Sequence, residues 1–279
     1  MTDKDFLPEL YLPSKANTHC HESGLDSFKL CLDRTHYLSY PHKVEYHYNS
    51  RGFRDTEWPN DFSNVIWCVG DSFTTGLGSP REHIWPYILQ QRTGRRTINV
   101  SMDGASNNLI ARFAVTILTQ FPQADMVVQW SFLHRREADL GPLVELKFQK
   151  FYNVVRDSSW PDCNSLQDFE KLPEYIKSEI LNIHRWTGIV YGDESRIAET
   201  HSTIDEDIIN TQQCIARLPK HVVHTAIPNW EPHGTNLNFN NIILTKQYDF
   251  ARDKFHYDIR TSNALVDEII PALALNATC

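Results

Sequence analysis

Short apolar runs recur along the chain, each bounded by polar or turn-forming residues, and between them lie stretches with apolar positions three and four apart. Residues 65–70 (VIWCVG), 97–102 (TINVSM), 126–132 (MVVQWSF) and 221–227 (HVVHTAI) have the length and the β-branched or aromatic content of buried strands. Residues 82–92, 107–120, 196–217 and 260–275 show helical spacing instead. Strands separated by helix-length connections predict a mostly parallel sheet covered on both faces, a three-layer α/β/α sandwich. In such a fold the ligand crevice lies beyond the carboxyl ends of the strands.

Two regions break this rhythm. Residues 1–60 read as an aromatic-rich N-terminal extension packed on the core, ending in a hairpin, HKVEYHYNSRGFRD, that turns at Asn49-Ser50-Arg51-Gly52. Residues 61–279 form the main domain. Within it, 135–195 is longer than a simple crossover and carries helix-like patches such as LVELKFQKFYNVV, so it is expected to be a helical insertion forming a lid or wall of a site.

The 279 residues suffice for a substantial core, and 41% hydrophobic with 22% charged residues is the composition of an ordinary globular protein. A net charge of -8 without a lysine or arginine stripe argues against nucleic acid as a partner. The first ten residues, MTDKDFLPEL, lack the pattern of a secretory leader, and no apolar stretch approaches a membrane span. The expectation is a cytoplasmic protein with no membrane partner; oligomeric state is not legible. Cysteines 20, 31, 68, 163, 214 and 279 share no metal-like spacing and are read as reduced thiols. His19-Cys20-His21 is the nearest approach to a ligand cluster, but no second cluster completes a tetrahedral set, so no metal and no cofactor are expected.

The candidate chemistry begins at Gly70-Asp71-Ser72, at the end of the first core strand. The glycine permits a sharp strand-to-helix turn. The serine is then either a cap for the following helix or a nucleophile held where helix-start amides attract developing negative charge. It is not the Gly-x-Ser-x-Gly elbow, because the fifth position is Thr74. Far downstream, Asp253 and His256 stand three apart on a turn before the last helix, a spacing that lets the carboxylate orient the imidazole. By itself that pair reads more simply as a solvated charge beside a half-buried histidine.

Taken in order, these pieces resemble the SGNH hydrolases, the GDSL esterase/lipase superfamily. The first block matches as Gly70-Asp71-Ser72-Phe73-Thr74 with Gly76-x-Gly78 and Trp85-Pro86, the second as INVSMDGASNN with Gly104 at the family's glycine position, and the fifth as Asp253-x-x-His256. The resemblance covers about 65–132 and 220–275. It implies Ser72 as nucleophile, His256 as base, Asp253 as its orienter, and the backbone amides of Ser72 and Gly104 as two arms of an oxyanion hole. The implied activity is metal-independent hydrolysis of a carboxylic ester, short-acyl or a carbohydrate O-acetyl group, through an acyl-enzyme. An O-acyltransferase using the same intermediate and a non-catalytic carbohydrate-binding relic of the fold are the alternatives.

The family's usual third oxyanion donor, an Asn after the third core strand, is absent: that strand runs into Trp130-Ser131-Phe132-Leu133-His134-Arg135-Arg136-Glu137. Asn107, in the first turn of the helix after Gly104 and behind the cap Ser106, is the candidate substitute; a plain first-turn residue is the alternative, and Arg136 is the rival donor. Arg51 and Arg54 are candidate anion binders, with a turn followed by a solvated arginine as the simpler reading. His221 and His224 are an odd number apart on a strand, so they face opposite sides and are given structural roles.

Overall fold

A computed structural model describes residues 7–12, 15–133, 135, 204–228 and 242–276. The chain begins with a two-residue strand β1 (His19–Cys20), a short helix α1 (Arg34–Ser39) and a second two-residue strand β2 (Tyr46–His47). The core follows: β3 (Val65–Gly70), α2 (Ser72–Thr75), α3 (Trp85–Thr93), β4 (Arg96–Ser101), α4 (Asn107–Gln120) and β5 (Asp125–Trp130). It is completed by α5 (Ile204–Ala216), β6 (Val223–Ala226), β7 (Ile242–Leu244) and α6 (Ile259–Asn276).

The core strands form one parallel sheet in the order β4-β3-β5-β6-β7. Helices α3 and α6 pack together against one side, and α4 packs with α5 on the other. This is the three-layer α/β/α sandwich that the alternation predicts. Every residue of β3 is buried, as a strand covered on both faces must be, so its run reads as continuously apolar rather than alternating. Trp67, Trp85, Trp130 and Phe113 are among its largest fully buried side chains.

The chain leaves β3 with β4 on one side and β5 on the other. In open α/β sheets such a reversal marks the usual ligand position, beyond the carboxyl end of the strand. Ser72 lies at that end.

The N-terminal residues join the same core through Leu10, Leu12 and Phe53. The expected turn at 49–52 is present: Gly52 has φ +86°, its N–H donates to the Asn49 carbonyl at 2.9 Å, and Asn49 Oδ1 accepts the amides of Arg51 and Phe53. The expected hairpin is not. β2 pairs antiparallel with β1, joining His19 to His47 and Cys20 to Tyr46, rather than with the residues after the turn. The expected insertion at 135–195 falls outside the described residues apart from Arg135, as does the 196–203 part of the helix expected at 196–217.

Among the described residues no helix is long and apolar enough to cross a membrane. Cys20, Cys31 and Cys68 are free thiols.

Candidate active site

Asp71, not Ser72, caps helix α2. Its backbone is extended (φ −105°, ψ −150°) and its Oδ1 accepts the Phe73 N–H at 2.9 Å, so the Ser72 hydroxyl is left for another partner. That partner is His256, whose Nε2 lies 2.8 Å from Ser72 Oγ across 184 residues of sequence. On the other side of the ring, Nδ1 is 2.5 Å from Asp253 Oδ2, while Asp253 Oδ1 accepts the N–H groups of Phe255 and His256, both at 3.0 Å. A carboxylate held by two backbone amides cannot swing away from the imidazole, so the ring is fixed with Nε2 toward the serine.

The turn that carries this pair is tight. Ala251 N–H donates to the His256 carbonyl at 2.8 Å, Lys254 N–H to the Ala251 carbonyl at 3.0 Å, and Lys254 sits at φ +63°, in the left-handed region. The turn meets the loop after Ser72 at Gly78. The Arg252 N–H donates to the Gly78 carbonyl at 2.9 Å. A Cβ on Gly78 would stand 2.9 Å from Ala251 Cβ and 3.2 Å from Asp253 Cγ, and its φ of +76° is one that side chains rarely adopt, so glycine is required there.

Electrostatics follow from burial opposed by pairing. Burial alone would push the His256 imidazolium toward neutrality, but the charge and hydrogen bond of Asp253 outweigh it, with Asp103 and Asp71 adding, and the ring titrates above the ordinary histidine value. Burial works on Asp253 in the opposite sense and is again overcome by His256 and the two amides, leaving the carboxyl below its usual range. Asp71, completely buried, is pushed up by desolvation despite Arg135. Its Oδ2 accepts from Ser131 Oγ at 2.5 Å and from Arg135 Nη1 at 3.0 Å. Arg135 thus reaches the cap of the helix that carries Ser72.

The backbone amides of Ser72 and Gly104 donate to no partner among the described residues. Gly104 has φ +75° in the turn after β4. Unengaged backbone N–H groups of this kind are what an oxyanion hole would need.

Asn107 is not placed to add a third. Its side chain is fully buried: Oδ1 accepts the Ser131 N–H at 2.8 Å, and Nδ2 donates to the Ser131 carbonyl at 3.2 Å and to Thr211 Oγ1 at 3.0 Å. Both amide hydrogens are spent tying α4 to the end of β5 and to α5, which corrects the expectation that Asn107 reaches the oxyanion. We therefore expect Asn107→Ala to act on stability, lowering it by about 1–3 kcal/mol through loss of this clasp, as read from urea denaturation. Arg136, the rival donor, lies outside the described residues.

The other candidates resolve into structure. Arg54 is buried and makes no ion pair among the described residues. Its Nη1 donates to the carbonyls of Thr75 (3.2 Å) and Gly76 (2.5 Å), its Nη2 to those of Glu45 (2.9 Å) and Ser79 (2.8 Å), and its guanidinium lies 4.3 Å from the Tyr46 ring centroid. It holds the loop from Thr75 to Ser79. Arg51 donates to the carbonyls of Leu7 and Leu10 and stacks over Trp58. His224 accepts from Trp130 Nε1 at 3.2 Å, and burial lowers its pKa to about 4. His221 lies just before β6, off the ladder.

Aromatic rings crowd His256. Phe73 lies 4.5 Å and Phe255 5.0 Å from the His256 ring, centroid to centroid, and Phe132 packs on Phe255 at 6.1 Å. None of these contacts has a short-range sequence signature, although Phe73 and Phe255 each adjoin a residue of the serine–histidine pair.

No family model and no curated protein matches the chain. Among solved structures, one similar chain is a carbohydrate acetylesterase family member from Sinorhizobium meliloti, with 14% identity over 77% of this chain and 100% of that one, at a TM-score of 0.31.

Proposed function

We propose that the protein is a serine esterase of the SGNH type, hydrolysing a carboxylic ester through an acyl-enzyme on Ser72. The observation that carries this reading is the unbroken hydrogen-bonded chain Ser72 Oγ–His256 Nε2, His256 Nδ1–Asp253 Oδ2 at the carboxyl end of β3. His256 takes the proton of Ser72 as the oxygen attacks the ester carbonyl, and Asp253 stabilises the imidazolium that results. The amides of Ser72 and Gly104 receive the negative charge on the tetrahedral oxygen. His256 then returns its proton to the leaving alkoxide, and the same base activates the water that releases the acid. Small acyl groups, acetyl to butyryl, and O-acetylated sugars suit a nucleophile that is 2% exposed.

Two measurements test the proposal together. A fluorophosphonate probe should label the intact chain at Ser72 and leave Ser72→Ala unlabelled, which a non-catalytic relic would fail. In a series of p-nitrophenyl esters from acetyl to decanoyl, kcat/KM should be highest at the short end; a steady climb to decanoyl would overturn the short-acyl assignment. Product analysis with added sugar or alcohol separates hydrolysis from acyl transfer.

A further inference from the structure

Strand alternation puts His19 and His21 on one face of β1 and its continuation, and Glu45 and His47 on the same face of the partner strand. The antiparallel register sets His19 directly opposite His47, with Cys20 opposite Tyr46 on the reverse side. Continuing it by one residue brings His21 beside Glu45. The second half of a ligand set, which the sequence around His19-Cys20-His21 does not offer locally, is therefore supplied across the ribbon.

The distances agree with the register. One ligand atom from each of His19, Glu45 and His47 lies within 4.8 Å of the others. Glu45 Oε1 is 3.7 Å from His19 Nε2 and 3.7 Å from His21 Nδ1. The rings of His19 and His47 stack 4.0 Å apart, and His21 meets His19 edge-on at 5.0 Å. All four side chains are partly or largely open to solvent, so small χ rotations bring their ligand atoms to the separation of about 3.3–3.5 Å that tetrahedral bonds of about 2.0–2.1 Å to a central ion require.

We propose that the His19–His21–Glu45–His47 face of the β1–β2 ribbon binds a divalent transition-metal ion of the zinc class. Three imidazoles and one carboxylate suit zinc, copper or nickel and not the oxygen-seeking magnesium or calcium. Lys43 occupies the carboxylate, with Nζ 2.8 Å from Glu45 Oε1, and its ammonium is the cation that an incoming metal displaces. The pairing of β1 with β2 fixes both backbones, so binding requires side-chain movement only. The reverse face connects to the esterase site: Tyr46 is fully buried, donates to Asp26 Oδ2 at 2.6 Å and accepts the Gly78 N–H at 2.8 Å. A metal on this ribbon would therefore stiffen the strand that holds the loop carrying Gly78.

The test is calorimetric titration of the full chain with Zn2+, with Mg2+ as the hard-cation comparison. Because the chain has 13 histidines, the decisive quantity is a difference between variants. The wild type should bind one equivalent more Zn2+ than His19→Ala/His47→Ala, with no saturable Mg2+ binding. Lys43→Ala should tighten that equivalent several-fold by removing the competing ammonium, and Cys20→Ser should leave it unchanged. Equal stoichiometry in wild type and double variant, weaker binding in Lys43→Ala, or loss of the equivalent in Cys20→Ser would each overturn the proposal. Thermal unfolding of each variant without metal guards against a folding defect, and the readout is independent of ester turnover.

Discussion

Replacing Ser72 by Ala is expected to lower kcat/KM for ester hydrolysis on the order of 10³-fold or more while the thermal unfolding transition stays in place. The attacking oxygen is lost, yet the helix cap is provided by Asp71, so the local fold has no need of the hydroxyl. His256→Ala should cost a comparable factor, because the imidazole lies 2.8 Å from Ser72 Oγ as the acceptor of its proton. Asp253→Asn should be milder in rate but should move the pH profile. The reaction requires neutral His256, whose pKa is raised, so activity in the wild type should fall with acidification along a limb centred above the ordinary imidazole value of about 6.5. Removing the Asp253 charge takes away the main cause of that rise, and the limb should move toward lower pH. Full turnover in a clean Ser72→Ala preparation would sink the mechanism.

The second large effect is expected from a residue that touches no reacting atom. Arg54→Ala should destabilise the protein by about 3–5 kcal/mol, because four carbonyls that share one planar fork lose their common donor in a buried setting. Urea denaturation should report this, with a fall in Tm of roughly 10 °C. Arg54→Lys should recover little, since a single ammonium cannot span carbonyls on both sides of the loop. Residual esterase activity should drop as well, because the carbonyls of Thr75, Gly76 and Ser79 belong to the loop that runs from the nucleophile to Gly78. A variant as stable as the wild type would show that the loop is held by its own turns.

The parts of the fold legible in the sequence were those encoded by local periodicity. The apolar run at 65–70 and the helical spacing at 107–120 coincide with β3 and α4 residue for residue, and the other core strands differ by a residue or two at their ends. β7 escaped notice because three residues, one exposed and two half-buried, carry too little pattern. The turn at 49–52 was readable from Asn and Gly, but the partner of β2 was not, since it lies before the turn and is chosen by packing. Asn107 shows the same divide. Its place in a first helical turn followed from Ser106, whereas the direction of its side chain is set by Ser131 and by Thr211, 104 residues away. Ser72, Asp253 and His256 are legible as candidates because the spacing within each block is local, whereas their hydrogen-bonded approach depends on the fold that joins the blocks.

The seam between Gly78 and Arg252 has a further meaning. The proposed nucleophile follows the first core strand, and the proposed base and its carboxylate lie in the turn before the last helix. The Arg252–Gly78 backbone hydrogen bond, the close contact at Gly78 and the bonds from Ser79 Oγ to the Tyr257 carbonyl and Asp258 Oδ1 join the two segments. A local opening at that seam would part the two halves of the catalytic apparatus and leave the five-stranded sheet intact. On the proposed function, activity would then be lost on heating before the fold is. The working lifetime of the protein would be governed by that earlier loss.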